Sequence, residues 1–406
     1  MKYKTFIFER CSIDLKRRVM VFRYSLDNKV RFIEKIHLDK KYGFSQLSKE
    51  KKDALLVAIR SLHIMLGISY YKMYCPKKVI INGYGLDGTQ VRFFEKIYRN
   101  GLGEFYYLNK LRPPRKIGFP VSNIQNNFAS YLRLRHRSVV PVGGGKDSIV
   151  TIEKLKTGKK DFVLFSLDAD RSRQQTATVA GESMITFERE LSQNLFKLNK
   201  KDAYNGHVPF SAILAFLLPV VCILYDFDTA VLSNEASADE HNVSIGTFKV
   251  NHQYSKSHEF EKDFREYAQK YILADFHYFS LLRKYKEIKI ARLFSKYKKY
   301  FPVFSSCNVV KTRKYKDVNI KWCGSCPKCL FSYLILSPYI SKDEMRRIFK
   351  KDLLEDVSLQ KTFRELLGRG KHKPFECVGE YAECRTSLQM LKKKIDYKSD
   401  YLVKTN

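Results

Sequence analysis

Acidic residues, long apolar runs and an apolar stretch behind the first methionine are all scarce in this chain. Only 42 Asp and Glu face 75 Lys and Arg, a surplus of 33 positive charges (75 − 42) with a pI near 9.7. Such a field favours polyanionic partners: nucleic acid, an anionic membrane, or a small substrate rich in phosphate and carboxylate. The basic residues are spread along the chain rather than blocked, so charge alone does not choose among these. The longest apolar run, Ala212–Tyr225, falls short of the ~18–20 residues that span a bilayer, and Pro219 interrupts it. A buried helix is expected there, and no transmembrane segment. No apolar h-region follows Met1–Lys4, so no signal peptide is expected. Together with nine Cys, this points to the reducing cytoplasm, where clustered thiols bind metal more often than they form disulfides.

What is present should fold. A chain of 406 residues is too long for one ordinary core, and 44% apolar residues with 55 Phe and Tyr (29 + 26) exceed what a disordered chain carries. Alternating residues from Lys4 to Leu38, with a turn at Leu26–Lys29, predict a hairpin-rich start. Helical spacing predicts an amphipathic core helix from Lys51 to Leu66, stopped at Gly67, with His63 as a packing residue. Gly67–Lys72 and Gly101–Phe105 read as loops. Further on, Ile149–Leu155 reads as helix, Asp161–Leu167 as a buried strand ending at Asp168, Thr178–Leu191 as strand and helix, and Thr229–Leu232 as a strand. Strands alternating with helices at these intervals imply an α/β fold built on a doubly wound parallel sheet.

The chain is organised around Val139–Val150, where a β-branched run meets Gly143, Gly144 and Gly145, then Lys146, Asp147 and Ser148 and a helix-like segment. Glycines there let backbone N–H groups converge on a phosphate at a helix N-terminus. A Walker A loop needs Ser or Thr where Asp147 stands, and the dinucleotide fingerprint needs Gly where Ser148 stands. The stretch resembles instead the PP-loop of ATP pyrophosphatases, Ser-Gly-Gly-x-Asp-Ser, with Gly143 in place of the first Ser.

Two further stretches are dense in chemistry. Asn205–Glu259 contains His207, Asn234, Glu235, Asn251, His252, Tyr254 and Lys256. Cys323, Cys326 and Cys329 have two residues between neighbours, and Cys307 stands sixteen positions before Cys323. Four thiolates complete a tetrahedral shell, which predicts a structural zinc site, with an iron–sulfur cluster as the competitor.

In order along the chain, Leu66–Lys72, Gly101–Phe105, Val142–Ser148, Gly206–Pro209, Ser233–Glu235, Val250–Ser257, the Cys-rich motif and Pro374–Glu380 resemble the UDP-N-acetylmuramoyl-L-alanyl-L-glutamate epimerase family, MurL. The resemblance implies an ATP- and Mg²⁺-dependent isomerase that inverts the terminal L-Glu of a UDP-muramoyl dipeptide. It implies a PP-loop ATP-binding domain over 131–300, preceded by an N-terminal α+β domain (1–130) and followed by a small four-thiol zinc module (301–340) and a basic helical segment (341–406). Gly143–Ser148 are assigned to ATP phosphates, Asp147 also to Mg²⁺, and Asp168 to the nucleotide. Inversion needs proton traffic on both faces of Cα, with His207, Glu235, His252, Tyr254 and Lys256 as candidates. Lys72, Glu104, Asn234, Asn251 and Arg283 are assigned to substrate. A nucleic-acid partner is not expected; the alternative is a PP-loop enzyme modifying tRNA or a deazaguanine-type base.

Overall fold

Alternating apolar and polar residues fold the start of the chain into a meander of β1 (Thr5–Asp14), β2 (Val19–Leu26) and β3 (Val30–His37), paired antiparallel. The turn between β2 and β3 has Asp27 and Asn28 both at positive φ (50° and 55°), the twist-matched geometry of a two-residue hairpin loop, which Asn and Asp tolerate. The structure is a computed structural model that describes residues 2–122, 129–168, 170–310 and 320–406. Residues 311–319 of the expected zinc module lie outside the described residues.

The remaining strands are β4 (Lys78–Ile81), β5 (Ser138–Pro141), β6 (Phe162–Leu167), β7 (Met184–Glu190), β8 (Thr229–Leu232), β9 (Val243–Ile245), β10 (Phe248–Val250) and β11 (His277–Ser280). Their order is β11-β8-β5-β6-β7-β3-β2-β1-β4 in a nine-stranded sheet, with β9 and β10 paired separately. The fold is α/β as expected, but the sheet is not parallel throughout. β5 pairs parallel with β8 and β1 with β4, whereas β3 joins β7 antiparallel and brings the meander with it.

The chain forms two compact units: residues 1–139, 185–231 and 244–279 make the first, and 140–184, 232–243 and 280–406 the second. In the first unit, helix Lys49–Tyr71 packs on β1 and on helix Phe210–Tyr225. Phe6, Phe8, Tyr24 and Leu62 are fully buried there, at roughly 1.5–3 kcal/mol for each large apolar side chain removed from water. Helix Lys49–Tyr71 is long and apolar enough to cross a membrane, yet every residue from Ser61 to Tyr71 is buried within the unit. His63 is the packing residue expected: Nδ1 meets the Tyr84 hydroxyl at 2.9 Å and Nε2 the Arg23 carbonyl at 3.1 Å.

Three expectations are corrected. Gly67 does not stop the helix, and Gly67–Tyr71 is helical rather than loop. A Cβ on Gly67 would lie 2.4 Å from the Phe8 ring, so the glycine is a notch that lets the helix sit on β1. Gly101–Phe105 likewise joins helix Gly88–Gly101 to helix Gly103–Leu108, and a Cβ on Gly101 would meet Pro209 at 2.9 Å. In 178–191 the order is helix (Arg171–Ala180) and then strand β7.

Candidate active site

In the second unit, β5 ends at Pro141 and the Val142 N–H donates to the Phe165 carbonyl of β6 at 2.9 Å. The loop that follows enters helix Lys146–Thr157 with Gly145 as its N-cap. Gly144 sits at φ +77°, a left-handed conformation that costs glycine nothing. Its neighbours also leave no room: a Cβ on Gly144 would be 2.9 Å from Ser172 Oγ, and one on Gly145 2.5 Å from Ser306 Oγ. Ser148 Oγ donates to the Gly145 carbonyl at 2.9 Å. A bare loop at a helix N-terminus is suited to an anion.

Lys146 points away from solvent. Its Nζ pairs with Asp147 Oδ1 at 2.6 Å and with Glu287 Oε2, the latter from helix Glu287–Phe294. Burial opposes the charge on Lys146, but the two carboxylates outweigh it and hold the ammonium protonated. Burial pushes the Glu287 carboxyl up, opposed first by Lys146 and reinforced by Asp147 and Glu235. Glu235 is buried, its carbonyl accepting from Arg283 Nη1 at 3.0 Å, with Asn234 half-buried beside it. Asp168, just past β6, is exposed at φ +58°, and its carbonyl accepts from Arg173 Nη1 at 2.8 Å.

The same unit holds the thiols. Sulfur separations are 3.9 Å for Cys307–Cys326, 3.7 Å for Cys323–Cys329 and 3.5 Å for Cys326–Cys329. A regular tetrahedron with zinc–sulfur bonds of about 2.3 Å has edges of about 3.8 Å, whereas a disulfide would bring two sulfurs to about 2.05 Å. The Cys326 thiol also caps helix Pro327–Leu336, accepting from the Cys329 N–H at 3.4 Å. The four sulfurs could hold a zinc ion and would then fill its tetrahedral shell.

The first unit has its own cluster. Glu104, in the first turn of helix Gly103–Leu108, directs Oε2 at His207 Nδ1 (3.1 Å) and at His252 Nδ1. The two imidazole rings lie 4.8 Å apart, centre to centre. Burial drives His207 down to about 4, helped by His252, Lys72 and Lys256 and resisted by Glu104, so this imidazole is neutral at physiological pH. Asn251 Oδ1 accepts from the Gln253 N–H at 2.7 Å, fixing the turn that carries His252. Tyr254 is buried and its hydroxyl is pushed well above its ordinary range, first by burial and then by Glu259 and Asp263. A carboxylate orienting two imidazoles is suited to moving protons.

Known proteins match this chain over most of its length. The family model described as MurL N-terminal domain matches residues 1–281, and that described as MurL C-terminal domain matches residues 303–406. The chain belongs to the MurL family. A relative from Xanthomonas oryzae pv. oryzae, named UDP-N-acetyl-alpha-D-muramoyl-L-alanyl-L-glutamate epimerase, is 36% identical over 400 residues, covering 98% of this chain and 88% of its own. Relatives of the same name from Salinispora tropica and a Micromonospora species are each 34% identical over 95% of this chain, and 84% and 86% of their own lengths are covered.

In this MurL chain the expected residues fall into two groups. Gly143–Ser148, Asp168, Asn234, Glu235, Arg283 and the four thiols lie in the second unit, while Lys72, Glu104, His207, Asn251, His252, Tyr254 and Lys256 lie in the first. Sequence reasoning missed Glu287. It stands in an ordinary helical pattern, and only the fold brings it against Lys146.

Proposed function

We propose that this MurL chain inverts the terminal L-Glu of UDP-MurNAc-L-Ala-L-Glu to D-Glu, with ATP consumed to AMP and pyrophosphate. It is an isomerase by the company it keeps at 34–36% identity. The chemistry explains the need for ATP. Removing the α-proton beside a free carboxylate puts a second negative charge next to the first. An acyl-adenylate has no charge on that carboxyl, so the electron pair left by the proton delocalises as an enolate, and hydrolysis afterwards restores the carboxylate and releases AMP.

The Gly143–Ser148 loop is assigned to the phosphates, in the manner of a PP-loop, with backbone N–H groups and the helix dipole opposing their charge. Asp147, whose side chain is a quarter exposed, is the residue that would hold Mg²⁺, which takes hard oxygen ligands and neutralises phosphate charge. The four thiols, with spacings that suit a tetrahedral shell, are assigned to structural zinc. Among the five candidates for proton transfer, His252 is favoured, its Nδ1 paired with Glu104. The Glu235 carboxylate acts on Glu287 of the Lys146 network, and Tyr254 is held neutral by burial. The observation that carries the reading is the convergence of two imidazoles on one carboxylate oxygen in a chain of this family.

Asp147→Ala tests the assignment. It should abolish AMP release and inversion while the far-ultraviolet circular dichroism stays that of the parent. Retained inversion would remove the adenylation reading.

A further inference from the structure

Among the described residues, Lys72 is a buried cation of the first unit with no counter-ion. It follows helix Lys49–Tyr71 directly, is 4% exposed, and forms no ion pair with any carboxylate among the described residues. Of the buried lysines in the second unit, Lys146 is paired with Asp147 and Glu287 and Lys373 with Glu240, while Lys328 donates to the Cys377 carbonyl. The Lys72 ammonium stands 5.2 Å above the Phe105 ring. Phe105 adjoins Glu104 in sequence, and its ring packs 3.8 Å from where a side chain on Gly206, next to His207, would begin. Asn109 Nδ2 ties these two segments together, donating to the Phe105 carbonyl at 2.8 Å and the Asn205 carbonyl at 2.9 Å.

An ammonium buried without an anion is unfavourable, and the group responds by releasing its proton or by meeting a charged ligand. Burial brings Lys72 down to about 8, the Cys75 thiol opposing. The charged and titratable groups around it are Cys75, His207 with its partners Glu104 and His252, and Lys256. Lys72 and Lys256 both disfavour charge on His207.

We propose that Lys72 is a catalytic residue, the second proton-transfer group of the inversion, working on the face of Cα opposite to the one served by the Glu104–His252 couple. The proposal rests on the epimerase reading. The neutral amine takes the Cα proton and becomes an ammonium as the C–H electron pair moves into the enolate of the activated carboxyl. The imidazolium of His252 then returns a proton to the other face, forming the new Cα–H bond. Proton exchange with solvent resets both groups, and in the reverse direction their roles interchange. This differs from a carboxylate clamp, which would need a permanent positive charge at Lys72.

The test uses the full-length protein with ATP, Mg²⁺ and UDP-MurNAc-L-Ala-L-Glu. Lys72→Arg keeps the charge but cannot titrate, and Lys72→Ala removes the amine. Both should lower kcat for D-Glu formation by about 10²–10⁴-fold while AMP release persists. In Lys72→Ala, added primary amines should restore inversion, faster for the more basic amines. Near-parental kcat in Lys72→Arg, or a raised KM with unchanged kcat in Lys72→Ala, would overturn the proposal in favour of a binding role. Absence of AMP release from the unsubstituted protein would contradict the adenylation step alone, and the comparison of kcat between Lys72→Arg and the parent still decides the role of the lysine.

Discussion

The backbone N–H of Ser305 donates to the carbonyl of Gly144 at 2.8 Å, so the Gly143–Ser148 loop is tied to a segment that reaches Cys307, one of the four clustered thiols, two residues later. Ser305 Oγ donates in turn to the Lys321 carbonyl at 2.6 Å, two residues before Cys323. Val303 accepts from Ser172 Oγ, which lines the loop at Gly144.

Metal removal should therefore reach the nucleotide. Stripping the zinc assigned to the four thiols, with a chelator under reducing conditions, would free Cys307 and Cys323, and with them the strut under Gly144. ATP affinity measured by calorimetry should fall by about 5–30-fold, the effect of 1 or 2 kcal/mol, and return when zinc is restored. An unchanged affinity with zinc demonstrably gone would break this link.

Lys146 and Glu287 are both almost fully buried, so removing one strands the other. Lys146→Met should destabilise the protein by about 3–5 kcal/mol in urea unfolding. Adding Glu287→Gln should recover much of that loss. A double variant as unstable as the single one would mean that the pair contributes through packing rather than charge.

Gly67→Ala should cost about 1–3 kcal/mol through overpacking, because the added methyl would lie 2.4 Å from the Phe8 ring. The melting temperature checks this. A neutral result would mean that β1 yields at Phe8.

His63 gives a pH signature. Burial lowers it from 6.5 to about 4, with the Arg23 carbonyl opposing. The unfolded chain then binds the extra proton, so its contribution to stability is intact above pH 6.5 and is lost as pH falls towards 4. The total is on the order of 3 kcal/mol. Urea midpoints of His63→Gln should fall less steeply than those of the parent over that range. Equal slopes would show that His63 does not titrate there.

Gly67 also shows where sequence reading stops. Glycine after a periodic run is the usual helix terminator, and nothing local distinguishes that use from a notch for an aromatic ring far away in the chain. The Asp27–Asn28 hairpin, the strand β6 ending before Asp168 and the four-thiol cluster were legible because each is specified by neighbours in sequence. The long motifs that carry the MurL resemblance were legible for the same reason. Glu287 against Lys146, the shared Glu104 oxygen between His207 and His252, and the missing counter-ion of Lys72 each depend on segments brought together by tertiary folding. The antiparallel joining of β3 to β7 was equally hidden, since an alternating strand does not reveal which neighbour it will take.

The most direct measurement follows hydrogen and phosphate together: the protein is incubated with ATP, Mg²⁺ and UDP-MurNAc-L-Ala-L-Glu in D₂O, and the products are read by mass spectrometry and chiral analysis. Activation of the carboxyl by adenylation predicts one deuterium at Cα of each D-Glu formed and AMP released only when the dipeptide substrate is present. D-Glu formed without deuterium, or inversion without AMP, would contradict it.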